Sequence, residues 1–231
     1  MHLSQVTSHS ALSGPAAPRA SAPFHEAAGA HSSRARLLDV AEDLCGRKGI
    51  EGVSLREIAA AAGQRNNSAV RYHFKDKAGL VAALMADRIA RVERERQALV
   101  EAHEPLEAQA PELLLRVLWE PLLNLRNPQG SHAFIRFLLA FVVEDRGILH
   151  PIIADPANHP ASGRIMQALS GCFPDVPPER FFYRLDLLAM MFWSAVSQHD
   201  QAAAAANQSW SSRFSLDETI RMSIAALGAP L

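Results

Sequence analysis

Between Gly63 and Phe74 the chain places Gln64, Arg65, Asn66, Asn67, Ser68 and Arg71, a run of side chains able to read base edges. Arg can bind guanine through two parallel hydrogen bonds, and Asn or Gln can do the same for adenine. Tyr72, His73, Lys75 and Lys77 follow at once. Residues of those types more often hold phosphates, which fixes register on a duplex without reading its sequence. Ser54 and Arg56, at the start of the preceding segment, complete the candidate set. The chemistry implied is recognition of double-stranded DNA by a short helix in a groove about 12 Å wide.

A second group of large residues lies downstream. Trp119, Phe134, Phe137, Phe141, Met190 and Trp193 are candidates for the wall of a pocket between helices, which a small, largely apolar ligand would occupy. Phe134, Phe137 and Phe141 repeat at i, i+3, i+7, a single helix face that suits core and pocket equally. Met190 would give an adaptable lining. His103, His132, His150, His159 and His199 lack partners at metal-site spacing, apart from weak local pairs such as His199-Asp200. Hydrogen-bonding or surface histidines are expected, and no metal. No nucleophile–base pattern, Gly-rich phosphate loop or paired-carboxylate motif stands out, so neither catalysis nor a cofactor is expected.

The elements that must position these residues are helical. Ser32 and Ser33 can cap a first helix, about 33–48, with Leu37, Leu38, Ala41, Leu44 and Cys45 as one apolar stripe. Ser54 followed by Glu57 is a capping box opening a second helix, about 54–61. Gly63 breaks it, and Asn66 or Asn67 can cap a third, about 66–72. Asp76 can cap a fourth, running to about 102, with Leu80, Leu84, Ile89 and Val92 inward and mixed charges over the rest. Further helices are expected at about 111–125, 130–145, 161–171, 178–203 and 215–228, separated by Pro and Gly breakers. No alternating strand pattern occurs. The expected class is all-α, with a three-helix helix-turn-helix head and a larger helical bundle.

Charge follows the same division. Residues 32–96 carry thirteen Lys/Arg and nine Asp/Glu, whereas residues 97–231 carry nine and fourteen. A basic head on an acidic body fits phosphate binding, which is driven by counterion release. The chain of 231 residues is 48% hydrophobic and 20% charged, a globular composition. Cys45 and Cys172 form no CxxC motif, and a reducing cytoplasm is the simplest setting. No apolar run approaches the roughly 18 residues of a membrane span, so no membrane partner is expected. The first 31 residues, rich in Ala, Ser, Pro and His, lack the apolar segment of a secretion signal and read as a disordered tail.

Residues 33–85 also resemble the N-terminal signature of TetR-type (TetR/AcrR-like) transcriptional regulators. Ile58-Ala59, Ala62-Gly63, Tyr72-His73-Phe74, Lys77 and Leu80 sit in the places of that signature. The segment between Gly63 and Phe74 is one residue longer than usual, and Arg71 stands where an aromatic is common. The resemblance implies that Tyr72 or Arg71, with Lys77, clamps phosphates, and that Phe74 is core. It implies a tail over 1–31, a DNA-binding head over 32–78 and a ligand-binding, dimerising body over 79–231. It also implies a homodimer joined through the helices at about 178–203 and 215–228, and a palindromic operator read by two heads. A ligand-responsive repressor is the leading expectation; a DNA-binding activator or architectural protein without a small ligand is the alternative.

Overall fold

The computed structural model describes residues 26–66, 68–145, 158–205 and 214–230, and every regular element among them is helical. Nine α-helices follow in order: α1 (Glu26–Lys48), α2 (Leu55–Ala61), α3 (Ser68–Phe74), α4 (Lys77–Ala102), α5 (Pro111–Asn124), α6 (Ala133–Asp145), α7 (Pro160–Gly171), α8 (Pro178–Ala204) and α9 (Leu216–Leu227). A short 3₁₀ turn, Leu106–Ala108, precedes α5.

The capping residues act as their chemistry requires. Ser54 Oγ accepts the Glu57 N–H at 3.1 Å, satisfying one orphan amide at the start of α2. The return half of the box is replaced: the Glu57 carboxylate takes Lys48 Nζ at 2.5 Å, tying α2 to the end of α1. Asp76 Oδ1 accepts the Gly79 N–H at 2.8 Å and starts α4.

Two boundaries differ from expectation. Helix α1 begins at Glu26, so residues 26–31, expected within a disordered tail, are helical. The run from Glu26 to Ala30 is mostly alanine and carries no proline, which outweighs the cost of about 1 kcal/mol at Gly29. Residues 1–25 lie outside the described residues. Helix α3 spans Ser68–Phe74 rather than about 66–72. Asn66 lends its side chain to the Ser68 N–H at 2.9 Å instead of entering the helix, and Lys75, at φ 70°, marks its end.

The inner faces form one continuous core. Leu37, Leu38, Ala41, Leu44 and Cys45 of α1 are all buried, with Ile58 and Ala59 of α2 and Val70 and Phe74 of α3 against them. Helix α1 also packs along α6, in the body. Gly46 permits that approach, since a Cβ there would lie 3.1 Å from Arg136 Cβ and from the Phe137 amide nitrogen. In the body Trp119 of α5 stacks on Phe192 of α8, with ring centroids 4.7 Å apart.

Helix α4 departs from the expectation that its charges cover its outer side, because Arg88 and Arg96 are buried. Partners from other helices make this possible. Arg88 meets Glu42 and Asp39 of α1, each at 2.5 Å, and Asp87 at 2.7 Å. Burial pushes the Glu42 carboxyl up from its ordinary pKa, although the Arg88 guanidinium opposes that shift. Glu93 caps the start of α7, accepting the Ala161 and Ser162 N–H groups at 2.7 and 3.1 Å. No helix among the described residues is long and apolar enough to cross a membrane.

Candidate functional site

Helix α3 buries Val70 and Phe74 and turns Ser68, Arg71 and Tyr72 to solvent. With Lys75, these fall at i, i+3, i+4 and i+7, one outward face. Tyr72 is 85% exposed, an unusual position for so large a ring. His73 is half-buried, its ring edge-on to Tyr72 at 5.2 Å. Lys75 stands in the left-handed region at φ 70° immediately after this face, a conformation non-glycine residues rarely hold.

Around this face the cations are open. Arg36, Arg56, Arg65, Arg71 and Lys75 have no ion pair or hydrogen bond among the described residues, a state shared in the body only by Arg94 and Arg180. By contrast Arg47, Arg88, Arg116, Arg136, Arg164 and Arg221 each hold a carboxylate. Arg34 lies over the Phe74 ring at 5.5 Å.

The remaining head candidates are partly engaged. Ser54 serves as the α2 cap, and Asn66 serves α3. Gln64 is half-buried and donates to Ser33 Oγ at 3.2 Å, which fastens the turn to α1. Lys77 is half-buried with Nζ 3.3 Å from Glu51 Oε2. Ser68, Arg56 and Arg65 are exposed. Asn67 lies outside the described residues.

One residue that matters to this surface carried no sequence signal. Glu144, in the last turn of α6, accepts the Ile50 N–H at 2.9 Å and the Glu51 N–H at 3.0 Å. A carboxylate from the body thus holds the turn between α1 and α2. Gly49, at φ 79°, leaves the space, since a Cβ there would overlap that carboxylate. A second link runs through Arg136 of α6, which reaches Asp43 of α1 at 3.3 Å and Asp200 of α8 at 3.4 Å. Asp200 also accepts from His132 Nδ1 at 2.8 Å and the His132 amide at 2.6 Å, rather than pairing with its neighbour His199. Burial would raise the Asp200 pKa, but the His132 hydrogen bonds and Arg136 outweigh it and hold the carboxyl below its usual range.

The body encloses a cavity of about 80 Å³ between α4, α5, α6, α7 and α8. Trp119, Phe134 and Trp193 line it, together with Leu122, Leu138 and Arg96. Phe137 is packed in the core. Phe141 borders a separate groove along α4, and Met190, half-buried, lines neither space.

The sequence profile described as "Bacterial regulatory proteins, tetR family" matches residues 37–84. The profile described as "Tetracyclin repressor-like, C-terminal domain" matches residues 116–229. No curated protein matches the chain. A crystal structure assigned to a TetR-family transcriptional regulator from Rhodococcus sp. is 15% identical, with a TM-score of 0.46, over 85% of this chain and 97% of that one. The two profiles cover the head and most of the body in the order in which the helices occur, and the chain belongs to the TetR family, as a helix-turn-helix, DNA-binding transcriptional regulator.

Proposed function

We propose that this regulator is a ligand-responsive repressor that binds a palindromic operator as a homodimer. The observation that carries the DNA-reading part is the open cationic face: Arg65 and Arg71, with Arg56 and Lys75, have no partner among the described residues to give up before meeting DNA. In this reading Arg65, Asn66, Asn67, Ser68 and Arg71 meet base edges, with Gln64 positioning the turn. Tyr72, His73, Lys77, Ser54 and Arg56 hold phosphates.

Self-association is assigned to α8 and α9. These helices pack on each other and still expose Tyr183, Leu187 and Met222. Tyr183 and Leu187 are one turn apart on α8, so they share a face. A two-fold axis there would place two copies of α3 against half-sites one helical turn apart. A ligand in the body cavity would favour one spacing of the heads over another, by no more than its differential affinity for the two forms.

Selection of bound DNA from a random pool, at fixed salt, tests this reading. An enriched palindrome is the expected result. Enrichment of a single unrepeated half-site would overturn the dimeric part, and no enrichment would overturn sequence-specific reading by the purified protein.

A further inference from the structure

The apolar wall of the body cavity carries two polar donors that nothing among the described residues fully satisfies. Arg96 is only 4% exposed. Its Nε and Nη2 donate to the Leu118 carbonyl at 3.0 and 2.5 Å, and Nη1 donates to Ser162 Oγ at 2.9 Å. A guanidinium offers five N–H groups, so donors remain. No carboxylate among the described residues forms an ion pair with it. The Glu93 carboxylate lies behind Ser162, whose hydroxyl donates to Glu93 Oε2 at 2.6 Å, and its charge acts on Arg96 through space without a direct hydrogen bond. Burial pulls the Arg96 pKa down to about 10, which leaves it charged at neutral pH. The second donor is Trp193, 6% exposed, whose indole Nε1 is buried without a hydrogen-bond partner among the described residues. Buried donors of this kind are normally paired.

We propose that the cavity takes a small apolar carboxylate, its carboxyl oxygens accepting from the Arg96 guanidinium and the Trp193 indole N–H. Its hydrocarbon part would lie against Leu122, Phe134 and Leu138. This rests on the ligand-responsive reading above and adds the chemical class of the ligand. A charged acceptor gives stronger hydrogen bonds than a neutral one, and most of all away from water. A cation would meet the Arg96 charge at close range. Asp186 also borders the cavity, but it is an exposed residue whose charge faces screening by solvent. A volume of about 80 Å³ selects a short chain first; a single ring fits only if the cavity widens toward its open side.

The test is calorimetric titration and thermal melting of the full chain with benzoate and butanoate, against benzamide, butanamide and toluene. The carboxylates are expected to raise Tm and to bind about tenfold tighter than the matching amides. Trp193→Phe keeps an aromatic ring and removes the N–H; it should weaken benzoate about tenfold more than it changes toluene, which reports the altered shape of the wall alone. The indole N–H resonance that Trp193→Phe removes should move on adding benzoate and stay still with toluene. Equal binding of benzamide or toluene overturns the carboxylate assignment and leaves the ligand-responsive reading standing. Binding by none of the five overturns the assignment as well, while the DNA selection judges the regulator reading separately.

Discussion

The outward face of α3 and the interior of α4 treat arginine in opposite ways. On α3 and the turn before it, Arg71 and Arg65 are exposed, with no partner among the described residues. On α4, Arg88 and Arg96 are withdrawn from water and spend their donors on carboxylates, a carbonyl and a hydroxyl. The same side chain is a binding group on α3 and, at Arg88, a structural joint, with Arg96 buried yet keeping donors free. What separates them is the neighbourhood: α1 brings Asp39 and Glu42 to Arg88, whereas no described residue covers the outward face of α3. An open charge costs little stability and is available to an external phosphate or base. A closed charge does the reverse.

Substitutions sharpen that contrast. Glu42→Ala removes the one buried carboxylate of the three around Arg88 and leaves Asp39 and Asp87, and urea denaturation should record a loss of about 1.5–3 kcal/mol. Arg65→Ala with Arg71→Ala should leave the urea midpoint unchanged and weaken operator binding about 100-fold, with a shallower salt dependence. A fall in stability instead of affinity would show that these arginines are structural after all. Gly49→Ala places a Cβ against the Glu144 carboxylate at a left-handed residue and should cost about 1–3 kcal/mol in the same denaturation. Glu144→Ala, which leaves two amides without their acceptor, should cost about 1–3 kcal/mol.

Smaller effects come from groups nearer solvent. Asp200 gives up its proton more readily in the fold than in the unfolded chain, because the His132 hydrogen bonds and Arg136 overcome the opposing effect of burial. The stability it contributes is therefore complete above the ordinary carboxylate range and is lost as pH falls through that range to the depressed folded value. Urea midpoints measured across acidic pH should fall less steeply in Asp200→Asn than in the wild type. Glu51→Gln releases Lys77 and removes one negative charge from the head. Operator affinity should rise by about threefold at low salt and converge with wild type at high salt.

The head was legible because its decisive contacts are local. Ser54 and Glu57, or Asp76 and Gly79, lie three residues apart, and a three-residue spacing can be read directly from a sequence. The outward face of α3 follows from the same arithmetic once Val70 and Phe74 are placed inside. Glu144 was invisible because its two amide partners lie 94 and 93 residues away, and nothing about a glutamate near a helix end announces a distant turn. His132 and Asp200, 68 residues apart, were missed for the same reason. Arg96 was assigned to the surface because charge pattern alone cannot tell a solvated arginine from one with a carbonyl and a hydroxyl waiting across the core. Among the aromatic residues, Phe134 and Phe137 are sequence neighbours on one helix face, yet only Phe134 reaches the cavity. That distinction depends on the crossing of helices, which periodicity does not encode.

The carboxylate that α6 lends to the turn between α1 and α2 has a consequence for portability. A boundary drawn after residue 78 looks clean in sequence, yet it would sever Glu144 from the amides of Ile50 and Glu51 and strip α6 from the side of α1. The DNA-reading unit is thus not a cassette that can be lifted onto another body intact. A chimera built at that boundary would have to recreate a carboxylate at the Ile50–Glu51 amides, while one that carried residues 26–145 as a block would keep the native contact.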